Sequence, residues 1–90
     1  MVKKSQNPPT CPPAKRLDAR GLKCPEPLML VRNQVRAMAA GECLEVRATD
    51  PTTTRDLENF CRFMKHEMIS SDTEGDEFVY LIRKGEGTAG

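Results

Sequence analysis

Tryptophan is absent, and Tyr80, Phe60, Phe63 and Phe78 are the whole aromatic inventory of the 90 residues. Platforms for stacking single-stranded bases are built from such rings, so direct nucleic-acid binding has little to work with. No apolar run approaches the ~20 residues of a membrane span, and the lysines near the start are not followed by the apolar stretch of a signal peptide. The expectation is a cytoplasmic protein with no membrane association. The four cysteines, at positions 11, 24, 43 and 61, never fall at C-x-x-C spacing, which argues against a zinc knuckle or a thioredoxin-type pair. In a reducing compartment they read as thiols. No metal-ligand set, Gly-rich phosphate loop or pair of carboxylates suited to acid–base work stands out. The single histidine, His66, reads as a surface or capping residue rather than a base.

Size narrows the choice further. A chain this short buries only about 60% of the surface its unfolded form exposes, which leaves no room for a large internal cavity. Chemistry must then sit at the surface on one or two residues, with a partner supplying the missing walls. That favours a carrier or adaptor over a self-sufficient enzyme. The net charge of +1 hides an asymmetry: residues 1–36 carry eight Lys or Arg against two acids, and residues 37–90 carry six against eleven. The basic half contains Cys24, and its field suits an acidic partner.

Residues 1–15 hold Pro8, Pro9, Pro12 and Pro13 among polar neighbours and read as a disordered tail. Residues 16–85 read as one domain and residues 86–90 as a flexible end. A short strand is expected from Arg16 to Ala19, then a turn through Gly21 that delivers the chain to Cys24. Leu28, Val31, Val35 and Met38 recur at helical spacing, so residues 25–40 read as an amphipathic helix with Gly41 as its C-terminal cap. Pro25 and Pro27 fit its first turn, where a missing N–H costs little. Leu44, Val46 and Ala48 alternate as a half-buried strand does. Asp50 and Pro51 then suit the start of a second helix, with Leu57, Phe60, Cys61 and Met64 as its stripe, ending near Lys65. Two strands, residues 68–73 and 78–83, flank the turn-rich joint at Gly75. The order β-α-β-α-β-β predicts an α/β two-layer sandwich, a four-stranded mixed sheet with two helices on one face.

Cys24 opens the run Cys24-Pro25-Glu26-Pro27 at the start of the first helix. A thiol acts as a nucleophile or sulfur acceptor only as thiolate, and a helix N-terminus with basic neighbours, here Arg20 and Lys23, lowers its pKa. Glu26 and the two missing proline N–H groups oppose this, so the expected shift is modest and downward. The prolines fix the backbone so that the sulfur is presented rather than enclosed. With no resolving cysteine at helical spacing, one thiol suffices to accept a sulfane sulfur and release it to an attacking thiolate. The residues alone leave open that Cys24 is a small hydrophobe at a helix start.

The stretch Leu17-Asp18-Ala19-Arg20-Gly21-Leu22-Lys23-Cys24-Pro25-Glu26-Pro27 resembles the signature of the TusA (SirA-like) sulfur-carrier family, whose hallmark is CPxP. The segments Asp50-Pro51-Thr52-Thr53-Thr54-Arg55-Asp56, Phe60-Cys61-Arg62-Phe63-Met64 and Tyr80-Leu81-Ile82-Arg83-Lys84-Gly85 extend the resemblance over residues 17–85. It implies the same sandwich, with Cys24 accepting a persulfide sulfur from a cysteine desulfurase and passing it to a relay acceptor, ultimately for 2-thiolation of the wobble uridine of tRNA. The tRNA would be a downstream target only. No cofactor is implied beyond the covalent Cys24 persulfide, and transfer occurs without independent turnover.

The resemblance also implies a docking surface of Glu26, Met29, Arg32, Arg36, Asp50 and Phe63, with Pro25 and Pro27 structural. The plainer account makes these solvated arginines, a helix cap at Asp50 and a core-edge phenylalanine at Phe63. Cys61 reads as core, Cys43 as a strand residue without function, and Cys11 as a candidate for a masking disulfide with Cys24. Two other functions stay open: a paralogous carrier in sulfur oxidation, molybdenum-cofactor or selenium metabolism, and a regulatory or RNA-associated binding module in which Cys24 is incidental.

Overall fold

The computed structural model describes residues 11–85; the expectations for residues 1–10 and 86–90 lie outside the described residues. Six elements follow in the expected order: β1 (Pro13–Ala19), α1 (Glu26–Arg36), β2 (Cys43–Ala48), α2 (Thr53–Met64), β3 (Glu67–Glu74) and β4 (Glu77–Arg83). The strands form one sheet in the order β1-β2-β4-β3. The β1–β2 pair is parallel, and β4 runs antiparallel to both β2 and β3.

Period-two alternation decides which side of the sheet is buried. Leu44, Val46 and Ala48 on β2 pair with Ile82, Tyr80 and Phe78 on β4, so these side chains share one face. Against it pack Val31 and Val35 of α1, Met38 just beyond it, and Leu57, Phe60 and Cys61 of α2. The result is the two-layer α/β sandwich, with both helices covering one face of the mixed sheet. Tyr80 is fully buried, and its hydroxyl lies 2.6 Å from Thr54 Oγ1, which satisfies a polar atom that would otherwise be costly to bury. Cys61 is buried in this core, and burial pushes its thiol up to about 11, so it is chemically quiet.

Several boundaries depart from the sequence reading. β1 begins at Pro13, so residues 13–15 are strand rather than tail. Proline is tolerated at the first residue of an edge strand, and Pro13 is paired with Cys43. α1 ends at Arg36, closed by the Ala37 N–H donated to the Gln34 carbonyl and the Met38 N–H donated to the Val35 carbonyl. Gly41 is not its cap; at φ 90° it makes the turn into β2 and donates its N–H to the Lys84 carbonyl. His66 is buried rather than at the surface, its ring 5.2 Å from Phe60 and its Nδ1 accepting the Gly85 N–H.

The cysteines depart most. Cys11 and Cys43 form a disulfide with Cα atoms 6.1 Å apart, so the expectation of four thiols is corrected. The pairing of Cys11 with Cys24 is corrected with it, since Cys24 is free. The reason is positional. Cys43 and Pro13 stand at one end of the parallel pair and Ala19 and Ala48 at the other, about 20 Å away at strand rise, and the chain reaches Cys24 only after Ala19. Cross-linking residues 32 apart stabilises a domain by about 2–4 kcal/mol through the unfolded state.

Leu57, fully buried at the contact of α2 with the sheet, tests the core. Leu57→Ala is expected to lower unfolding stability by about 2–5 kcal/mol, read as a shift of the urea midpoint.

Candidate functional site

Parallel pairing sends the β1–α1 and β2–α2 connections out from the same end of the sheet, and the site lies where they meet. Gly21, at φ 82°, turns the first connection, with its N–H donated to Thr49 Oγ1 in the second at 2.9 Å. Three residues on, the Cys24 N–H donates to Asp50 Oδ2 at 2.9 Å. The other oxygen of Asp50 accepts the N–H and the hydroxyl of Thr52, both at 2.9 Å. One carboxylate therefore ties the cysteine loop to the start of α2. These donors, the Cys24 N–H first and then Thr52, hold the Asp50 carboxyl below its ordinary value, with the charge of Lys23 adding to the effect. Asp50 is thus a bridge between loops and not the cap expected from sequence: α2 begins at Thr53 after Thr52, without a side-chain capping bond.

Cys24 is exposed, immediately ahead of Pro25, the N-cap of α1, and the peptide bond between them is cis. Pro27 is buried in the first turn, while Glu26 is exposed beside it. The Cys24 Sγ donates to Asp56 Oδ2 at 2.8 Å. Asp56 stands in the first turn of α2, where the helix dipole favours a negative charge. That bond is the largest of the causes that raise the Cys24 thiol above its ordinary value; partial desolvation and the charges of Asp56 and Asp50 add to it, and Thr52 opposes it.

The expected downward shift is therefore corrected, and the physical reasons are specific. Arg20 is engaged by Asp18 and Glu77. Lys23 acts on Asp50. At the helix start Pro25 and Pro27 have no N–H, that of Glu26 goes to the Lys23 carbonyl, and that of Cys24 itself goes to Asp50. Little positive potential is left for the sulfur, and a carboxylate faces it instead.

From Asp56 an open groove of about 350 Å³ runs between the helices, lined by Leu28 and Arg32 of α1 and by Asn59, Phe60, Phe63 and Met64 of α2. Phe63 is 81% exposed and Met29 54%, which is unusual for large apolar side chains in so small a domain. The structure thus brings Cys24 and Asp50 into direct contact and sets Arg32 and Phe63 along one groove. Met29 and Glu26 lie on the exposed part of α1 nearest Cys24. Arg36, exposed at the opposite end of α1, stands apart, about 15 Å along the helix from Glu26. Asp56 was missed as a site residue. Its signal was available in the topology, because a β-α-β-α order with parallel β1 and β2 puts both helix starts together, and the first-turn acid of α2 then faces the residue before α1.

Among the described residues no group of three or more His, Cys, Asp or Glu side chains is arranged to hold a metal ion, and no helix is long and apolar enough to cross a membrane.

Because Asp50 supplies the acceptor for two backbone N–H groups, Asp50→Ala is expected to raise amide hydrogen exchange at Cys24 and Thr52 with little change in the core strands. In the unsubstituted protein the same protection should persist below pH 3.8, since the carboxyl is held under that value, and be lost as pH falls further through the depressed one. Exchange measured by NMR across acid pH checks both. The family model described as sulfurtransferase TusA matches residues 15–84.

Proposed function

From a chain that belongs to the family of sulfurtransferase TusA, and so to proteins that carry sulfur in relays, we propose that the sulfur is held on Cys24 as a persulfide. The observation that carries this reading is the presentation of Cys24: an exposed free thiol on a loop whose backbone is pinned through its own N–H to Asp50. The donor in this reading is a cysteine desulfurase. The Cys24 thiolate attacks the outer sulfur of the donor's persulfide; a new S–S bond forms, the donor's S–S bond breaks, and its pair of electrons leaves on the donor's inner sulfur, which takes up the proton lost by Cys24. No net oxidation occurs. Release is the same step, with an acceptor thiolate attacking the outer sulfur on Cys24. The protein then needs neither a second thiol nor a bound cofactor.

Within this reading the destination of the sulfur is the 2-thio group of the tRNA wobble uridine, reached through downstream sulfur-transfer proteins. The similarity over the DPTT segment and over residues 80–85 supports this choice against paralogous carriers. The compartment assigned is the cytoplasm, where a carrier that works through one thiol is kept reduced.

The docking surface proposed for donor and acceptor comprises Glu26, Met29, Arg32, Arg36, Asp50 and Phe63. Phe63 is its best anchor, since a ring this exposed has apolar area to lose to a partner.

Incubation with a cysteine desulfurase and cysteine is expected to add one sulfur atom by intact mass, removed by reductant and absent in Cys24→Ala. No gain with a competent desulfurase, or an equal gain in Cys24→Ala, would overturn the reading. For the surface, Phe63→Ala should leave folding stability within about 0.5 kcal/mol. Its affinity for the desulfurase should fall by about tenfold or more, measured by calorimetric titration.

A further inference from the structure

Asp56 is the carboxylate in direct contact with the reacting atom, and its environment is lopsided. Its Oδ2 takes the Cys24 Sγ–H at 2.8 Å, whereas its Oδ1 has no hydrogen bond or ion pair among the described residues. The residue is half-buried at the mouth of the groove shared with Arg32 and Phe63, yet Arg32 is not paired with it. The charged groups around the thiol are therefore two carboxylates, Asp50 and Asp56, with Lys23 acting on the first and Arg32 placed along the groove from the second. Asp50 is fully used by three donors. Asp56 alone has an oxygen left to offer.

A carboxylate that accepts a hydrogen bond from a thiol favours the protonated sulfur, because ionising it would lose the bond and set two negative charges about 3 Å apart. A cation placed on the open oxygen reverses both effects. It takes over the carboxylate and screens it from the sulfur. Resting on the reading of Cys24 as the sulfur-carrying residue, we propose that Asp56 keeps Cys24 a thiol in the free carrier, and that a cationic side chain of the docking protein frees the thiolate by pairing with Asp56. The carrier is then slow to react with stray electrophiles and competent when docked. The proton released passes to the donor's leaving sulfur, so the transfer balances as written above.

Alkylation of Cys24 by iodoacetamide, followed by peptide mass spectrometry from pH 6 to 10, reads the restraint without any partner. In the wild-type protein the midpoint should lie above the ~8.5 of an ordinary thiol. Asp56→Asn should lower it, with alkylation at pH 7 rising about tenfold for each unit of fall. Asp56→Ser serves as a second variant, and circular dichroism confirms that each is folded. A wild-type midpoint at or below the ordinary value overturns the restraint, as does a folded Asp56→Asn whose profile superimposes on the wild type.

The release by a docked cation is tested by comparing two sulfur donors at pH 7. Loading from glutathione persulfide should rise in Asp56→Asn as much as alkylation does. Loading from the desulfurase should rise less, because docking already removes the restraint in the wild type. Equal enhancement from both donors would overturn the release step. If neither donor loads Cys24 while the alkylation shift is present, the carrier reading fails and the restraint stands.

Discussion

Parallel pairing of β1 with β2 is the constraint from which the site follows. With Leu17 opposite Val46 and Ala19 opposite Ala48, both strands end level and both connections emerge together. Had the pair been antiparallel, Asp50 would leave the sheet about 20 Å from the cysteine loop, and neither carboxylate could reach Cys24. A parallel pair needs a crossover, and α1 supplies it. The same helix that starts beside Cys24 lays Val31 and Val35 into the core, so the position of the sulfur is coupled to the packing of the sandwich.

Electrostatics around the site are decided by how charges are committed rather than by how many there are. The basic half of the sequence does contain Cys24, but Arg20 forms ion pairs with Asp18 and Glu77, and Arg47 is shared among Glu45, Glu74 and Glu77 on the sheet. The Arg47 pairs with Glu45 and Glu77 are partly buried, and Glu77 links Arg47 to Arg20 in one network across the sheet. The pairs of Arg20 commit its charge to Asp18 and Glu77 instead of the thiol four residues on. What remains close to the sulfur is Asp56, held where the dipole of α2 favours it.

The order of elements, the buried faces and the exposed cysteine were legible because each rests on local periodicity or on a short run of residues. Leu28, Val31 and Val35 announce α1 by their spacing alone, and Leu44, Val46 and Ala48 announce β2. The features that were not legible arise between residues distant in sequence. Asp56 lies 32 positions from Cys24, and Cys43 lies 32 from Cys11. Asp50 has the composition of a cap, and only the fold shows that its second oxygen is spent on another loop. His66 looked like a surface residue because its burial depends on the Gly85 backbone arriving from β4. Even the sign of the shift at Cys24 depended on a contact that no local pattern encodes.

The antiparallel β4 returns the chain to the start of β2, where Arg83 stands opposite Cys43 and Pro13 flanks it on the other side. Both described ends of the chain therefore leave from the end of the sheet remote from Cys24. A linker or a fused module attached at either side would hang behind the molecule and leave the thiol facing outward. The domain can be tethered to a larger assembly, or immobilised on a solid support, without covering the sulfur it carries.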